Sequence, residues 1–301
     1  MTRTNSTGRC GLSLIELLVV IALIGLMIGL TLSAVQRVRA SAVRTHCLNN
    51  ARQLATALHN YHGTHQVFPP GHTSDTVPKT YHDLGWPARV LPFIEQQLLW
   101  GRVEEAFRVT PSGLPYTPPH DAILATVIPL FCCPADQRVQ STQLAAGTFP
   151  VAFTSYLGVV GIHQSRRDGV LYVDSAVRLG DITDGSSQTL LFGERPPSAD
   201  FAFGWWYRGW GQQRDGSAEM VLGVRERNTI GMRYPCPAGP YAFGPGRFDN
   251  QCDMFHFWSP HTGGAHFAFA DGSVRFIRYS AEPIMAALAT RAGGEAVSLP
   301  E

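Results

Sequence analysis

Charged residues are scarce in this chain, and its basic residues are scattered rather than gathered into a block. Aspartate, glutamate, lysine and arginine make up 16% of the 301 residues, and the formal net charge is +1. This balance offers little electrostatic attraction for a phosphate backbone, so we expect no nucleic-acid partner. Hydrophobic residues make up 45% of the chain, which excludes a disordered protein.

Common catalytic and metal-binding motifs are absent as well. The sequence contains no G-x-S-x-G, no P-loop, no H-E-x-x-H, no C-x-x-C and no twelve-residue calcium loop. Such motifs place nucleophiles, phosphate-binding amides or metal ligands at fixed spacings, so their absence argues against the corresponding sites. We therefore expect no enzymatic activity, no catalytic residue, no cofactor and no bound metal.

Two groups of residues nevertheless have the chemistry of metal ligands. Histidines five residues apart point to opposite faces of a continuous strand, so they could converge only in a folded loop. The first group is His256, His261 and His266 with Asp253 and Asp271. The second group, suited to calcium, is Asp181, Asp184, Asp249, Asn250 and Asp253. An anchored metal-dependent hydrolase stays open as the least supported alternative.

One stretch carries no charge at all and runs from Leu17 to Gln36. About 20 helical residues cover the roughly 30 Å of a bilayer core, so this stretch predicts one transmembrane helix over about residues 17–36. Glu16 stands at its head, where a carboxylate is costly unless it stays at the interface or finds a cationic partner. Gly25 and Gly29 form a G-x-x-x-G pattern that allows close approach of another helix, so we expect an assembly face there.

The helical pattern continues beyond the apolar stretch. From Cys47 to Tyr61 apolar residues recur every three or four positions, and Phe68-Pro69-Pro70-Gly71 then interrupts the pattern. We expect one helix over residues 12–62 and a globular domain over residues 63–301. In that domain the 30 glycines and 21 prolines of the chain favour many turns and short strands. The expected fold class is α+β, with the helix packed on a loop-rich antiparallel sheet.

The C-terminal region predicts a β-hairpin. Residues 265–270 and 273–278 alternate around Asp271-Gly272, and Asp-Gly between alternating runs favours a type I′ turn. His261 lies just before this hairpin, and we expect it to bond to backbone or to Asp271. Further strands are expected over residues 148–160, 169–173 and 189–192.

An aromatic segment, residues 203–211, permits two interpretations. Its tryptophans, Trp206 among them, could form a flat surface platform for sugars or partner proteins, or they could fill the core of the sheet. Both interpretations remain open at this stage.

The N-terminal segment Gly11-Leu12-Ser13-Leu14-Ile15-Glu16 resembles the prepilins, the precursors of type IV pilins and type II secretion pseudopilins. The resemblance implies that a prepilin peptidase and methyltransferase removes a leader, residues 1–11, by cutting between Gly11 and Leu12. Leu12 would then be N-methylated, although the family usually has phenylalanine at this position. Glu16 would become the fifth mature residue and neutralise the amino terminus of a neighbouring pilin-like subunit.

The rest of the chain resembles an uncharacterised domain family that follows prepilin helices and ends in an H-x9-DG motif. In this chain the motif covers residues 261–272, with His261, Asp271 and Gly272, and we expect its role to be structural. The other marks of the resemblance are Cys47-Leu48-Asn49-Asn50-Ala51-Arg52-Gln53, Ala57-Leu58-His59-Asn60-Tyr61-His62, Gly85-Trp86, Leu91-Pro92-Phe93-Ile94-Glu95-Gln96, Cys133-Pro134-Ala135-Asp136, Thr154-Ser155-Tyr156-Leu157-Gly158, Asp184-Gly185-Ser186-Ser187 and Leu190-Leu191-Phe192-Gly193-Glu194.

These resemblances imply a structural, pilin-like or pseudopilin-like subunit that is held in the inner membrane by a single span. Its globular domain would be exported, and the helix would assemble with other subunits into a filament or a type II secretion-like apparatus. An exported domain permits disulfides, and Cys236 with Cys252 is the pair we expect first. The alternative is a cell-surface binding or adhesion protein, such as a glycan-binding one, that uses the prepilin signal only for export.

Overall fold

The computed structural model describes residues 14–74, 80–231, 234–295 and 297. The chain divides into two compact units, Met1–Val43 and Arg44–Glu301. One helix, α1, spans Leu14–His65 and contributes residues to both units. Each unit is described by itself below.

In the first unit, α1 carries no charged side chain from Leu17 to Val35 and exposes apolar side chains on all sides there. Its large apolar side chains from Leu14 to Val38 are 44–83% exposed. The helix is long and apolar enough to cross a membrane. Glu16 lies in its first turn, where a negative charge interacts favourably with the helix dipole.

In the second unit, α1 is amphipathic, and its buried side chains recur every three or four residues as expected. The helix ends at His65, three residues later than the predicted end at His62, because Gln66 is the residue that leaves the helical conformation. Gln66 has a φ of 62°, and its N–H donates to the His62 carbonyl over 2.7 Å, which closes the last turn. The buried stripe is Cys47, Asn50, Ala51, Leu54, Ala55, Ala57, Leu58 and Tyr61.

Shorter helices and strands follow, joined by long irregular segments. The helices are α2 (Trp86–Arg89), α3 (Gln97–Val109), α4 (His120–Leu124) and α5 (Glu282–Ala289). The strands are β1 (Gln143–Ala145), β2 (Phe149–Val151), β3 (Tyr156–Val159), β4 (Leu190–Glu194), β5 (Val221–Leu222), β6 (Arg225–Glu226), β7 (Tyr241–Ala242), β8 (Gly264–Phe269) and β9 (Val274–Arg278).

Five strands form the main sheet in the order β5-β3-β4-β8-β9. The β3–β4, β4–β8 and β8–β9 pairs are antiparallel, whereas β3 and β5 are parallel. The sheet is therefore mixed rather than purely antiparallel, and two antiparallel ribbons, β1–β2 and β6–β7, lie outside it. The α+β class expected from the sequence is confirmed.

The sheet separates two hydrophobic cores. Successive side chains of a strand point to opposite faces, so Tyr156 and Phe192 join the core that contains the buried stripe of α1. Leu157 and Phe267 join the other core, which contains the buried residues of α5. Helices thus cover both faces of the sheet within the second unit.

The predicted C-terminal hairpin is confirmed, with Gly264 opposite Arg278 and Ala268 opposite Val274. The predicted type I′ turn is wrong, since Gly272 has a φ of 85° but Asp271 has no positive φ. The Gly272 N–H donates to the Phe269 carbonyl over 2.9 Å, as in three-residue loops that end in a left-handed glycine.

Two other strand predictions need correction. The expected strand over residues 148–160 is two strands, β2 and β3, which belong to different sheets. Residues 169–173 form no strand and contribute only an isolated bridge between His72 and Val173. Both segments are rich in apolar residues, but an apolar run does not specify whether a partner strand lies beside it.

Candidate functional site

Four residues from distant marks of the sequence meet in the interior of the second unit. They are Cys47 on α1, Cys133 in a loop, Glu194 at the end of β4 and His261 in the loop before β8. Their sulfur, carboxylate and imidazole atoms all lie within 4.8 Å of one another, and all four residues are buried. We call these residues the signature cluster.

Hydrogen bonds from other segments that carry the family resemblance hold the signature cluster in place. The Tyr156 hydroxyl donates to the Cys47 carbonyl over 3.1 Å, and the Asn50 side-chain amide donates to the Cys132 carbonyl over 3.1 Å. The Cys133 N–H donates to the Ser155 hydroxyl over 3.0 Å. The marks therefore cooperate in one buried network, which fits the architectural role expected for them.

Glu194 carries the negative charge of the signature cluster. One carboxylate oxygen accepts from the His266 backbone N–H at 2.7 Å, and the other lies 3.0 Å from His266 Nδ1. His261 Nε2 lies 3.6 Å from the same second oxygen. Burial alone would raise the pKa of Glu194, but the hydrogen bonds and charges of His261 and His266 outweigh it and lower the pKa to about 2. Glu194 is therefore an ionised, partnered carboxylate at neutral pH.

Of the two partners expected for His261, backbone or Asp271, the second is wrong. His261 Nε2 lies 3.6 Å from Cys133 Sγ and 3.6 Å from Glu194 Oε1, rather than bonding to Asp271. Asp271 instead stabilises its own turn by accepting from the Ser273 N–H over 2.8 Å. Glu194 stood in the sequence only as the last residue of a strand mark, and its pairing with histidines carried no local signal.

Gly272 of the motif lies against α1. A Cβ placed on Gly272 would be 3.2 Å from the ring of His59. The His59 pKa is lowered, first by burial and then by the neighbouring His62, against the opposing effect of Asp271. The hairpin turn and the amphipathic half of α1 thus meet at a close contact that favours glycine.

Two disulfides are present among the described residues. One joins Cys47 to Cys133 within the signature cluster, with a Cα–Cα distance of 5.3 Å. The other joins Cys236 to Cys252, the pair expected first from the sequence, with a Cα–Cα distance of 5.5 Å. Cys132 is a buried thiol whose pKa is raised to about 12 by burial and by Asp136, so it is a poor nucleophile.

The first group of metal candidates converges only in part: His261 and His266 meet at Glu194, with ring centroids 5.4 Å apart, but His256 does not join them. His256 Nε2 lies 3.1 Å from Asp253, whereas His266 bonds to Glu194. Among the residues that the structure describes, the signature cluster is the group of His, Cys and Glu side chains whose ligand atoms lie close enough together to share a metal ion. Its two sulfurs are bonded to each other in this state, so they are not thiolate ligands.

The calcium candidates divide between two places and have protein partners. Asp184 accepts from the Gly293 and Gly294 N–H groups over 2.6 and 2.9 Å. Asp249 pairs with Arg247 at 2.8 Å. Backbone amides and a guanidinium thus satisfy carboxylate oxygens that a calcium ion would need.

The aromatic segment belongs mainly to the core. Trp206 and Tyr207 are fully buried, and the Trp206 indole N–H donates to the Thr126 carbonyl over 2.9 Å. A flat surface platform centred on Trp206 is therefore wrong. Trp205 and Trp210 instead line a surface cavity that the sequence did not indicate.

This cavity has a volume of about 290 Å³ and is lined chiefly by aromatic and small side chains. Its rings come from three separate segments, since Tyr116 follows α3, Phe149 lies on β2 and Trp205 and Trp210 lie in the aromatic segment. Glu219, just before β5, contributes a buried carboxyl group to the wall. We call these five residues the aromatic box.

The predicted processing and assembly residues lie near the N-terminus. Gly11 and Leu12 fall outside the described residues. Glu16 is exposed in the first turn of α1. A Cβ placed on Gly25 or Gly29 would meet no atom within 4 Å among the described residues, so that face of the helix has room for a neighbour.

Comparison with known proteins places the chain in a family. No curated protein and no solved structure matches it significantly. One family model, described as a protein of unknown function (DUF1559), matches residues 36–283. This span covers the amphipathic part of α1, both disulfides, the signature cluster and the aromatic box. The chain therefore belongs to the DUF1559 family, which is associated with prepilin-like proteins.

Proposed function

We propose that this protein is a structural, membrane-anchored subunit of the pilin-like or pseudopilin-like kind, exported by the prepilin pathway and assembled through α1. One observation carries the proposal: the chain joins a DUF1559 domain to a helix whose apolar side chains from Leu14 to Val38 are 44–83% exposed. Such a surface needs lipid or other apolar helices around it. The role requires no catalytic residue, and we propose none.

The proposal gives two features of α1 a role in the assembly. Glu16 would pair with the amino terminus of a neighbouring subunit, since a charge removed from water is tolerated only when a partner compensates it. Gly25 and Gly29 would lie at the contact between neighbouring helices. The proposal includes cleavage between Gly11 and Leu12, methylation of Leu12 and a prepilin peptidase as the processing partner.

The proposed location is the inner membrane, with the domain on its exported side. Support comes from the two disulfides, because such bonds persist in oxidising compartments and are rare in the cytosol. Arginines flank the apolar stretch on both sides, but long domains are translocated largely regardless of flanking charge.

N-terminal mass spectrometry of the protein from membranes tests the processing. We expect a mature chain that begins at methylated Leu12. An intact Met1 would contradict the prepilin pathway and leave a simple anchor.

The Glu16→Ala variant tests the assembly. We expect normal cleavage but a loss of sedimentable filaments or complexes to background levels, because the neighbouring amino terminus loses its counter-charge. Thr31→Ala on the same helix, where the hydroxyl bonds only to its own helix backbone, serves as the control and should assemble normally. Normal assembly of Glu16→Ala would favour a binding protein that uses the prepilin signal only for export.

A further inference from the structure

The aromatic box is concave rather than flat. Phe149 and Trp205 meet edge to face, with ring centroids 5.4 Å apart and an interplanar angle of 79°. Tyr116 and Trp210 meet at 83° with centroids 6.2 Å apart. Tyr116 stacks on Phe149 at 4.4 Å, which joins the two pairs. These steeply inclined rings line a cavity of about 290 Å³, whereas a sugar ring is best served by a single flat face.

The rings are held by the fold. The Trp205 indole N–H donates to the Phe201 carbonyl over 3.0 Å, and Trp205 is 6% exposed. Phe149 lies in the β1–β2 ribbon opposite Ala145. The box is therefore preformed, which limits the entropy lost when a ligand binds.

Glu219 supplies the ionisable group of the box. Its side chain is 2% exposed, and Oε1 accepts from the Gly204 and Trp205 N–H groups over 3.0 and 2.7 Å. Both bonds end on the same oxygen, so Oε2 has capacity for a ligand. Burial raises the pKa of Glu219 to about 8, against the lowering effects of the two N–H bonds and of Arg195.

Two other charged groups act on Glu219. Arg195 is fully buried, and its guanidinium donates to the carbonyls of Pro196 and Ala218. Asp200 opposes ionisation of Glu219, while its own Oδ1 accepts from Ser198 and Ala202. The pKa near 8 means that these neighbours leave the Glu219 charge only partly compensated. A cation in the box would supply the missing compensation.

We infer that the aromatic box binds a small organic cation of the quaternary ammonium type. Negative faces of tryptophan, tyrosine and phenylalanine attract a desolvated alkylammonium group, and Glu219 provides the counter-charge in its ionised form. This binding activity goes beyond the assembly role and depends on different residues, so either proposal can fail without the other.

The first experiment measures binding to the full-length protein in detergent by isothermal titration and tryptophan fluorescence. The probes are choline and its neutral isostere 3,3-dimethylbutan-1-ol, which replaces the nitrogen by carbon. We expect saturable choline binding that is at least about tenfold tighter than binding of the isostere, as cation–π attraction in a desolvated site predicts. Equal binding of the two probes, no choline binding, or tighter binding of glucose would overturn the inference.

Variants of the box provide the second test. Trp210 is only partly buried, so Trp210→Ala should leave the fold intact and weaken choline binding about tenfold. Trp100→Ala, which removes another partly buried tryptophan outside the box, should leave binding unchanged. Glu219→Gln retains an oxygen for the two N–H bonds but loses the charge, and it should weaken choline binding at least about tenfold. Unchanged binding in Trp210→Ala would overturn the inference even if Glu219→Gln failed to fold.

The pH profile is the third test. Choline keeps its charge at every pH, so a pH dependence near pH 8 reports the ionisation of Glu219. Affinity should rise as the pH increases through about 8 and should be flat over this range in Glu219→Gln. A flat profile in the unaltered protein would overturn the role given to Glu219.

Discussion

Two buried glutamates, Glu194 and Glu219, illustrate how partners decide the state of a carboxyl group. Both lose their hydration, which alone raises the pKa. Hydrogen bonds and charges from two histidines lower the pKa of Glu194 to about 2. Two backbone N–H groups and the more distant Arg195 do not prevent the pKa of Glu219 from rising to about 8. At pH 7 the first is therefore an anion and the second mostly a neutral acid.

Glu194→Gln should destabilise the domain by about 2–4 kcal/mol. The amide would turn an NH₂ donor toward groups that now donate to a carboxylate, and buried unmatched donors are costly. Urea unfolding of the variant and of the unaltered protein gives the difference. Glu105→Gln, which changes an exposed glutamate paired with Arg108, should leave stability nearly unchanged. Equal effects of the two changes would contradict the role of Glu194.

The pH dependence of this difference follows from the sign of the Glu194 shift. The pKa in the fold, about 2, lies below the ordinary value of 4.5. The stabilisation by ionised Glu194 is therefore fully present above about pH 4.5 and is lost as the pH falls toward 2. The stability difference between the unaltered protein and Glu194→Gln should shrink over this window in urea titrations. A difference that grows on acidification would contradict the assignment.

Gly272→Ala should destabilise the domain by about 1–2 kcal/mol. The backbone at this position has a φ of 85°, which disfavours a Cβ, and the new methyl would press on the His59 ring at 3.2 Å. Thermal unfolding measures the loss. Gly101→Ala is the matched control, because Gly101 lies within α3 with no atom within 4 Å of the added Cβ and alanine favours helix. Gly101→Ala should be neutral or stabilising.

At the scale of elements, the sequence predicted those whose signal is local. The buried stripe of α1 follows from apolar residues that recur with a period of about 3.6. The β8–β9 hairpin follows from residues that alternate with a period of 2. Each pattern lies within one short segment of the chain. The turn type failed because Asp-Gly fits both a two-residue loop and the end of a three-residue loop. The strand predicted over residues 169–173 is wrong because strand pairing depends on a partner that is distant in the sequence.

The contacts of the signature cluster could not be predicted from the sequence for the same reason, because they join distant residues. Cys133 and His261 are 128 residues apart, and Glu194 and His266 are 72 residues apart. The marks were visible in the sequence, but their mutual contacts depend on the order of strands in the sheet. The aromatic box combines Tyr116, Phe149 and Glu219 from separate segments, and no spacing rule joins these residues.

The two disulfides should stabilise the folded domain by different amounts. The Cys47–Cys133 bond closes a span of 86 residues and links α1 to the loop beside β3, whereas Cys236–Cys252 closes a span of 16. Loop-closure entropy predicts about 4–5 kcal/mol for the first and about 3 kcal/mol for the second. The Cys47→Ser/Cys133→Ser variant should therefore melt at a lower temperature than Cys236→Ser/Cys252→Ser. The reverse order would show that the linkage of α1 contributes little.

At the scale of the whole molecule, the division at Val43 predicts which truncations fold. Both hydrophobic cores consist of residues after Arg44, beginning with Ala51 on α1. A chain that starts at Arg44 keeps these cores, both disulfides and the signature cluster.

We expect that truncated chain to be soluble and monomeric, because it lacks the exposed apolar surface of Leu14 to Val38. It should melt cooperatively at the temperature of the full chain in detergent, as measured by circular dichroism and size-exclusion chromatography. A chain that starts at Asn60 is the control. It loses the Cys47–Cys133 disulfide and removes Leu54 and Leu58 from the core that contains the buried stripe of α1. It should not fold, since each buried leucine contributes about 2–5 kcal/mol. Misfolding of the chain that starts at Arg44 would show that the domain depends on the apolar helix for its stability. Equal folding of both chains would show that the buried stripe of α1 is dispensable.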